Sequence, residues 1–141
     1  MRVMILVKES ELSESGALPD EKLLTEMNKY NEELVKAGVM LAGEGLHPSS
    51  RGKRVKFNGA NKTVIDGPFA ETKELVAGFW LWQVRSMAEA VEWLKRAPFD
   101  GGNEVEIRQV FETEDFGPVL TPELKAQEKR LRAQVAAKAK R

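Results

Sequence analysis

The chain has 141 residues, with 22 Lys/Arg against 22 Asp/Glu and 42% hydrophobic residues. That length suits one ordinary domain, and that composition supports a real core and excludes a disordered chain. There is no cysteine, which excludes disulfides, thiolate catalysis and cysteine metal sites and fits a cytoplasmic location. No apolar run approaches the roughly 20 residues of a membrane span. The apolar start at residues 3–7 is too short for a signal peptide. Charge is unevenly placed: residues 121–141 hold seven Lys/Arg and two Glu, leaving 15 basic and 20 acidic residues for the rest. A mildly acidic body argues against nucleic-acid binding by the globular part.

Residues 3–7 are a short apolar run that reads as a buried strand. A polar loop is expected over 9–17. Leu23, Leu24, Met27, Tyr30, Leu34 and Val35 recur at helical spacing, so a helix is predicted over 19–37, with Pro19 and Asp20 in its first turn and Gly38 as its stop. Residues 39–42 read as a second strand and 43–50 as a loop. A hairpin follows over 53–57 and 63–65 around Asn58-Gly59, a strong turn signal. Residues 79–84 form the next strand. Ser86 caps a helix with apolar positions Met87, Ala90, Val91 and Leu94, stopped at Ala97-Pro98. The last strand spans 104–110, then comes a loop over 111–118. Thr121-Pro122-Glu123 opens a terminal helix.

The order is β-α-β, hairpin, β-α-β, tail. It predicts an α+β, ferredoxin-like sandwich of dimeric α+β barrel type over 1–118, with a basic helical tail over 119–141. Phe79 and Leu81 point to one face of their strand, and Trp80, Trp82 and Val84 to the other. Two helices cover only one face of a sheet. A bare face with two tryptophans would be a large apolar patch, and its simplest cover is a second copy, so a homodimer is expected.

Between two of these strands stands Asp66-Gly67-Pro68-Phe69-Ala70-Glu71-Thr72-Lys73-Glu74. Asp-Gly-Pro cannot sit inside a regular strand or helix: Gly67 brings backbone freedom, Pro68 fixes φ and lacks a donor, and Asp66 can bond the backbone ahead. With Gly78-Phe79-Trp80-Leu81-Trp82 after it, and residues 42–50 and 104–110 in support, this segment resembles the DGPF-domain proteins of the YCII-related family. The likeness spans residues 1–117. It implies a ferredoxin-like fold, usually dimeric, in a bacterial protein. Some members are encoded beside extracytoplasmic-function sigma factors, which implies a regulatory association. Better-studied relatives use a histidine and an aspartate, and one removes chloride from a chlorinated aromatic. Their histidine lies near the first helix. This chain has none there, since its single histidine is His47.

Asp66 is the first candidate for chemistry. Shielded by Phe69, its carboxylate would suit proton transfer; in the plainer reading it holds the turn. His47 is the second, a loop side chain that titrates near neutral pH, with Glu44 among the groups that could orient it. Glu71 and Glu74 flank Lys73 and would share a face in a helical turn, either meeting a ligand or standing solvated. Arg54, with Arg51, Lys53 and Lys56, could hold an anionic group or simply line a wet hairpin. Trp80 and Trp82 could wall a pocket for a planar molecule or fill the core. No spacing supports a metal site and no cofactor motif is present. The expected function is binding of a small molecule near the 66–74 turn. The alternatives are an enzyme of proton-transfer or lyase/dehalogenase type using Asp66, and a regulatory partner in sigma-factor-linked transcription.

Overall fold

A computed structural model describes residues 1–99 and 101–139, in two compact units, Met1–Val110 and Phe111–Arg141. In the first unit, strands β1 (Arg2–Lys8), β2 (Met40–Gly45), β5 (Val76–Gln83) and β6 (Val105–Gln109) form one sheet. Its order is β2-β5-β1-β6, and every neighbouring pair is antiparallel. β5 therefore separates β1 from β2, and β1 separates β5 from β6. Each β-α-β unit is split by a strand of the other, which is the ferredoxin-like arrangement.

Helices α2 (Glu21–Lys36) and α3 (Met87–Lys95) make the crossovers. Asp20 caps α2, accepting from the Leu23 N–H at 2.8 Å, and Ser86 caps α3, accepting from the Glu89 N–H at 3.1 Å. Tyr30 and Leu34 of α2 and Ala90 of α3 pack on Val3, Ile5, Trp80 and Trp82 to form the core. Ile5, Leu34 and Trp82 are fully buried; burying an aliphatic side chain such as Ile5 or Leu34 contributes about 1.5–3 kcal/mol. The Tyr30 hydroxyl crosses between the helices to donate to the Trp93 carbonyl at 2.6 Å.

Three expectations change. Residues 9–17 are not all loop: Ser10 caps a short helix, α1 (Glu11–Glu14), through a reciprocal bond with Ser13. The second strand runs on to Gly45, because it pairs with β5 as far as Gly78. The tryptophans lie on the helix-covered face, so they are not what a partner would cover. The opposite face carries Met4, Leu6, Phe79 and Leu81, all partly exposed, with Met4 paired to Leu81 and Leu6 to Phe79.

Strands β3 (Lys53–Asn58) and β4 (Asn61–Asp66) form a separate two-stranded sheet, turned at Gly59 with φ +61°. Every residue of both strands is exposed.

In the second unit, Glu112 and Asp115 cap a 3-10 segment (Thr113–Val119), within which Gly117 takes φ +59°. Phe111 and Phe116 stack at 5.0 Å. Thr121 caps α4 (Pro122–Lys138), whose first residue is proline, as the sequence predicts. Among the described residues, no helix is long and apolar enough to cross a membrane.

Candidate functional site

The turn after β4 is docked onto the 3-10 segment Ser49–Arg51. The Gly67 N–H donates to the Gly52 carbonyl at 3.0 Å, and the Phe69 N–H to Ser49 Oγ at 3.0 Å. The Ser49 N–H donates to Glu14 Oε1 at 2.7 Å, and the Ser49 hydroxyl donates to Glu14 Oε2. A charged acceptor therefore organises the serine that receives the turn. Gly67 is needed for closeness rather than for an unusual φ: a Cβ there would stand 1.7 Å from the Ser49 carbonyl oxygen. The Gly67-Pro68 bond is cis.

Around this latch the polar candidates pair off separately. Asp66 lies on the surface, its side chain 74% exposed, with Lys53 Nζ 2.5 Å away. Register explains the pair, since Lys53 stands opposite Asp66 in the hairpin. Shielding of Asp66 by Phe69 is not found; Phe69 instead sits under the Arg54 guanidinium, 3.9 Å from the ring centroid. His47 is exposed, with Arg51 Nη1 3.2 Å from both ring nitrogens. No hydrogen bond or ion pair joins Asp66 to His47 among the described residues. Lys53, Arg54 and Arg51 of the basic cluster are thus divided among Asp66, Phe69 and His47.

Two concavities lie elsewhere. One is a slot of about 220 Å³ between α2 and strands β2 and β5, lined by Met27, Asn31, Gly45, Gly78, Trp80 and Phe99, with Glu44 at β2. Its shape follows from register. Val7, Gly78 and Gly45 are aligned across three strands on the face that carries Trp80, and two of the three lack side chains. A Cβ on Gly45 would meet nothing within 4 Å. Trp80 forms the wall because Gly43, opposite it, leaves room: a Cβ at Gly43 would lie 2.6 Å from Trp80 Cδ1. The Trp80 indole N–H donates to Asn31 Oδ1 at 2.9 Å, and Phe99 meets Trp80 edge-on at 6.1 Å. The Asn31 NH₂ makes no hydrogen bond among the described residues.

The other is a cleft of about 690 Å³ between the end of β1, the 71–74 turn and residues 102–104. Glu71, Lys73 and Glu74 line it. Thr72–Glu74 is a 3-10 turn entered from Glu71 at φ 61°, so the helical turn that the sequence allowed does form. Of the site residues expected from sequence, Glu44 and Trp80 belong to the slot, and Glu71 and Lys73 to the cleft. Trp82 belongs to the core. Asp66, His47 and Arg54 lie at neither cavity. Asn31, Glu14 and Glu9 were not expected at a site; Ser49 was expected only beside His47, and Gly45 and Gly78 only as parts of the family's motifs. The two strand glycines carried a usable signal, because glycine inside a strand marks a close approach or a gap. Asn31, one polar residue on a helix, carried none.

Fold and cavities together define a ferredoxin-like α+β domain with a ligand-sized slot beneath its first long helix. The YCII-related domain matches residues 1–114, and the chain belongs to that family. An uncharacterised protein of Rhizobium meliloti (strain 1021) is 30% identical over 76 residues, 54% of this chain; the match spans 61% of that relative's length. Among solved structures, 5-chloro-2-hydroxyhydroquinone dehydrochlorinase (TftG) from Burkholderia phenoliruptrix AC1100, in complex with 2,5-dihydroxybenzoquinone, is similar over 79% of this chain and 96% of its own. Identity there is 17% and the TM-score 0.43.

Proposed function

We propose that this is a homodimeric small-molecule-binding protein whose ligand is a flat, mainly apolar ring bearing a hydrogen-bond acceptor. The observation that carries the reading is the glycine-floored slot, with aromatic walls and the Asn31 amide among its lining. Small-molecule sites are commonly of this composition. A dry cavity of roughly 150 Å³ holds benzene, so about 220 Å³ accommodates one ring with a substituent. The second copy would cover the Met4, Leu6, Phe79 and Leu81 face, where a monomer would leave a contiguous apolar surface to water. The enzyme reading through Asp66 comes second, since it rests on a surface carboxylate paired with Lys53.

Benzamide, which joins one ring to one acceptor, is a suitable probe, followed by the NMR shift of the Trp80 indole N–H. It should bind wild type at millimolar concentration and fail to bind Gly45→Leu, whose side chain would fill the slot while the far-UV spectrum stays native. Equal binding by the two proteins, or no binding by wild type, would overturn the reading.

A further inference from the structure

We propose that the cleft between β1 and the 71–74 turn is a separate binding site for a small organic polycation, an amine carrying two or more ammonium groups.

The argument starts from Glu9. It directly follows β1 and is 6% exposed, the one charged side chain among the described residues that is so fully buried. Its backbone N–H donates to the Leu75 carbonyl at 2.8 Å, which fixes it at the junction of β1 with the turn before β5. Among the described residues its carboxylate has one hydrogen bond, from the Ser13 hydroxyl to Oε2 at 2.5 Å. No lysine or arginine reaches it among the described residues. The neighbouring Lys8 also lines the cleft, but its ammonium is 3.5 Å from Glu106. Buried carboxylates are ordinarily paired with a cation. Here the countercharge is missing, and the group lines a cleft large enough to admit one.

Most of the rim's charges carry the same sign. Glu11, Glu71, Glu74 and Glu104 line the cleft from three separate segments, and Lys73 is the one rim cation without an ion pair among the described residues. These carboxylates do not converge: among the described residues no three acidic or histidine side chains are grouped as a metal ion would need. Carboxylates spread along about 690 Å³ suit charges spread along a flexible chain instead. One ammonium would sit at Glu9 and a second at the Glu71 and Glu74 side, each held by charge-assisted hydrogen bonds. The site is independent of the slot, shares no residue with it and stands or falls alone.

Spermidine is the probe, titrated by calorimetry at low and physiological salt, with magnesium and tetramethylammonium as comparisons. Spermidine should bind, magnesium and tetramethylammonium far more weakly, and binding should weaken as salt rises. Glu9→Gln should lower spermidine affinity at least about tenfold, since it removes a buried charge–charge contact. Glu74→Gln, on the rim, should lower it only a few-fold. Should Glu9→Gln misfold, amide shifts in the wild-type protein still decide the matter. Spermidine should move residues 9–11, 71–74 and 102–104 and leave Met27 and Asn31 in place. No spermidine binding, binding matched by magnesium, shifts scattered over the surface, or a folded Glu9→Gln that binds as wild type would each overturn the proposal.

Discussion

Trp80 and Trp82 stand two residues apart on the same strand face, are both buried, and differ in one respect. The Trp80 indole N–H donates to Asn31, whereas Trp82 Nε1 is buried without an acceptor among the described residues. Replacing each by phenylalanine therefore separates packing from hydrogen bonding. The truncation removes the same atoms at 5% and 0% exposure, so the lost packing and the new void should cost about the same at both sites, roughly 1–2 kcal/mol. At Trp80 the change also leaves the Asn31 oxygen without its donor, adding about 1–2 kcal/mol for a half-buried group. At Trp82 it removes an unsatisfied donor and returns about 1–3 kcal/mol. Trp80→Phe should thus destabilise by about 2–4 kcal/mol and Trp82→Phe by about 1 kcal/mol or less, a gap of about 2–5 kcal/mol. Urea unfolding followed by circular dichroism, at one protein concentration and with unchanged m-values, measures the gap. If the two variants lose equal stability, or Trp82→Phe loses more, the assignment of the orphaned donor is refuted.

Gly67→Ala drives a methyl group into the Ser49 carbonyl, a backbone atom that cannot rotate away; it should cost about 1–3 kcal/mol and expose the hairpin base to limited proteolysis, while Gly52→Ala, whose Cβ would stand 3.4 Å from the same oxygen, should be milder. Arg108 beside Glu106, with Lys8 second, holds the Glu106 carboxyl below its usual 4.5. A depressed folded value gives stabilisation that is present above that ordinary value and is lost as pH falls through the lower one. Wild type and Glu106→Gln should therefore differ modestly in urea midpoint near neutral pH and converge in acid; curves that stay parallel would count against the pairing. Leu81→Arg, placed on the helix-free face, should yield a folded monomer by light scattering at micromolar concentration, where wild type should be a dimer; a wild-type monomer would remove the argument from the open face.

Much of the architecture was legible because it rests on short-range rules. Period-3.6 spacing from Leu23 to Val35 marked α2, Asp20 and Ser86 marked helix starts, and Asn58-Gly59 marked the hairpin. Alternation along β5 showed two apolar faces but not which one the helices cover, because both read alike. Position therefore decided what pattern could not: the tryptophans went inward and Phe79 and Leu81 outward. The 66–74 segment was legible as a special turn and illegible as a latch, since its partners Ser49 and Glu14 are distant in sequence and chemically ordinary. Glu9 was hidden for the opposite reason. A glutamate in a polar stretch reads as solvated, and only the fold reveals that Leu75 and Ser13 enclose it.

The latch also bears on the order in which the chain assembles. β2 and β5 are adjacent antiparallel strands, yet the chain leaves the sheet at Gly45 and re-enters it at Val76 after building the whole hairpin. Closing so long an excursion is entropically slow, at about 0.6 kcal/mol for each doubling of its length. Joining Ser49 and Gly52 to Gly67 and Phe69 short-circuits it, because the hairpin then hangs outside a much smaller ring. Contact order falls locally, and the β2–β5 pairing becomes a near-neighbour event. On this hypothesis Gly67→Ala should slow the refolding limb of a chevron more than it speeds unfolding, and an effect confined to the unfolding limb would show that the latch closes last.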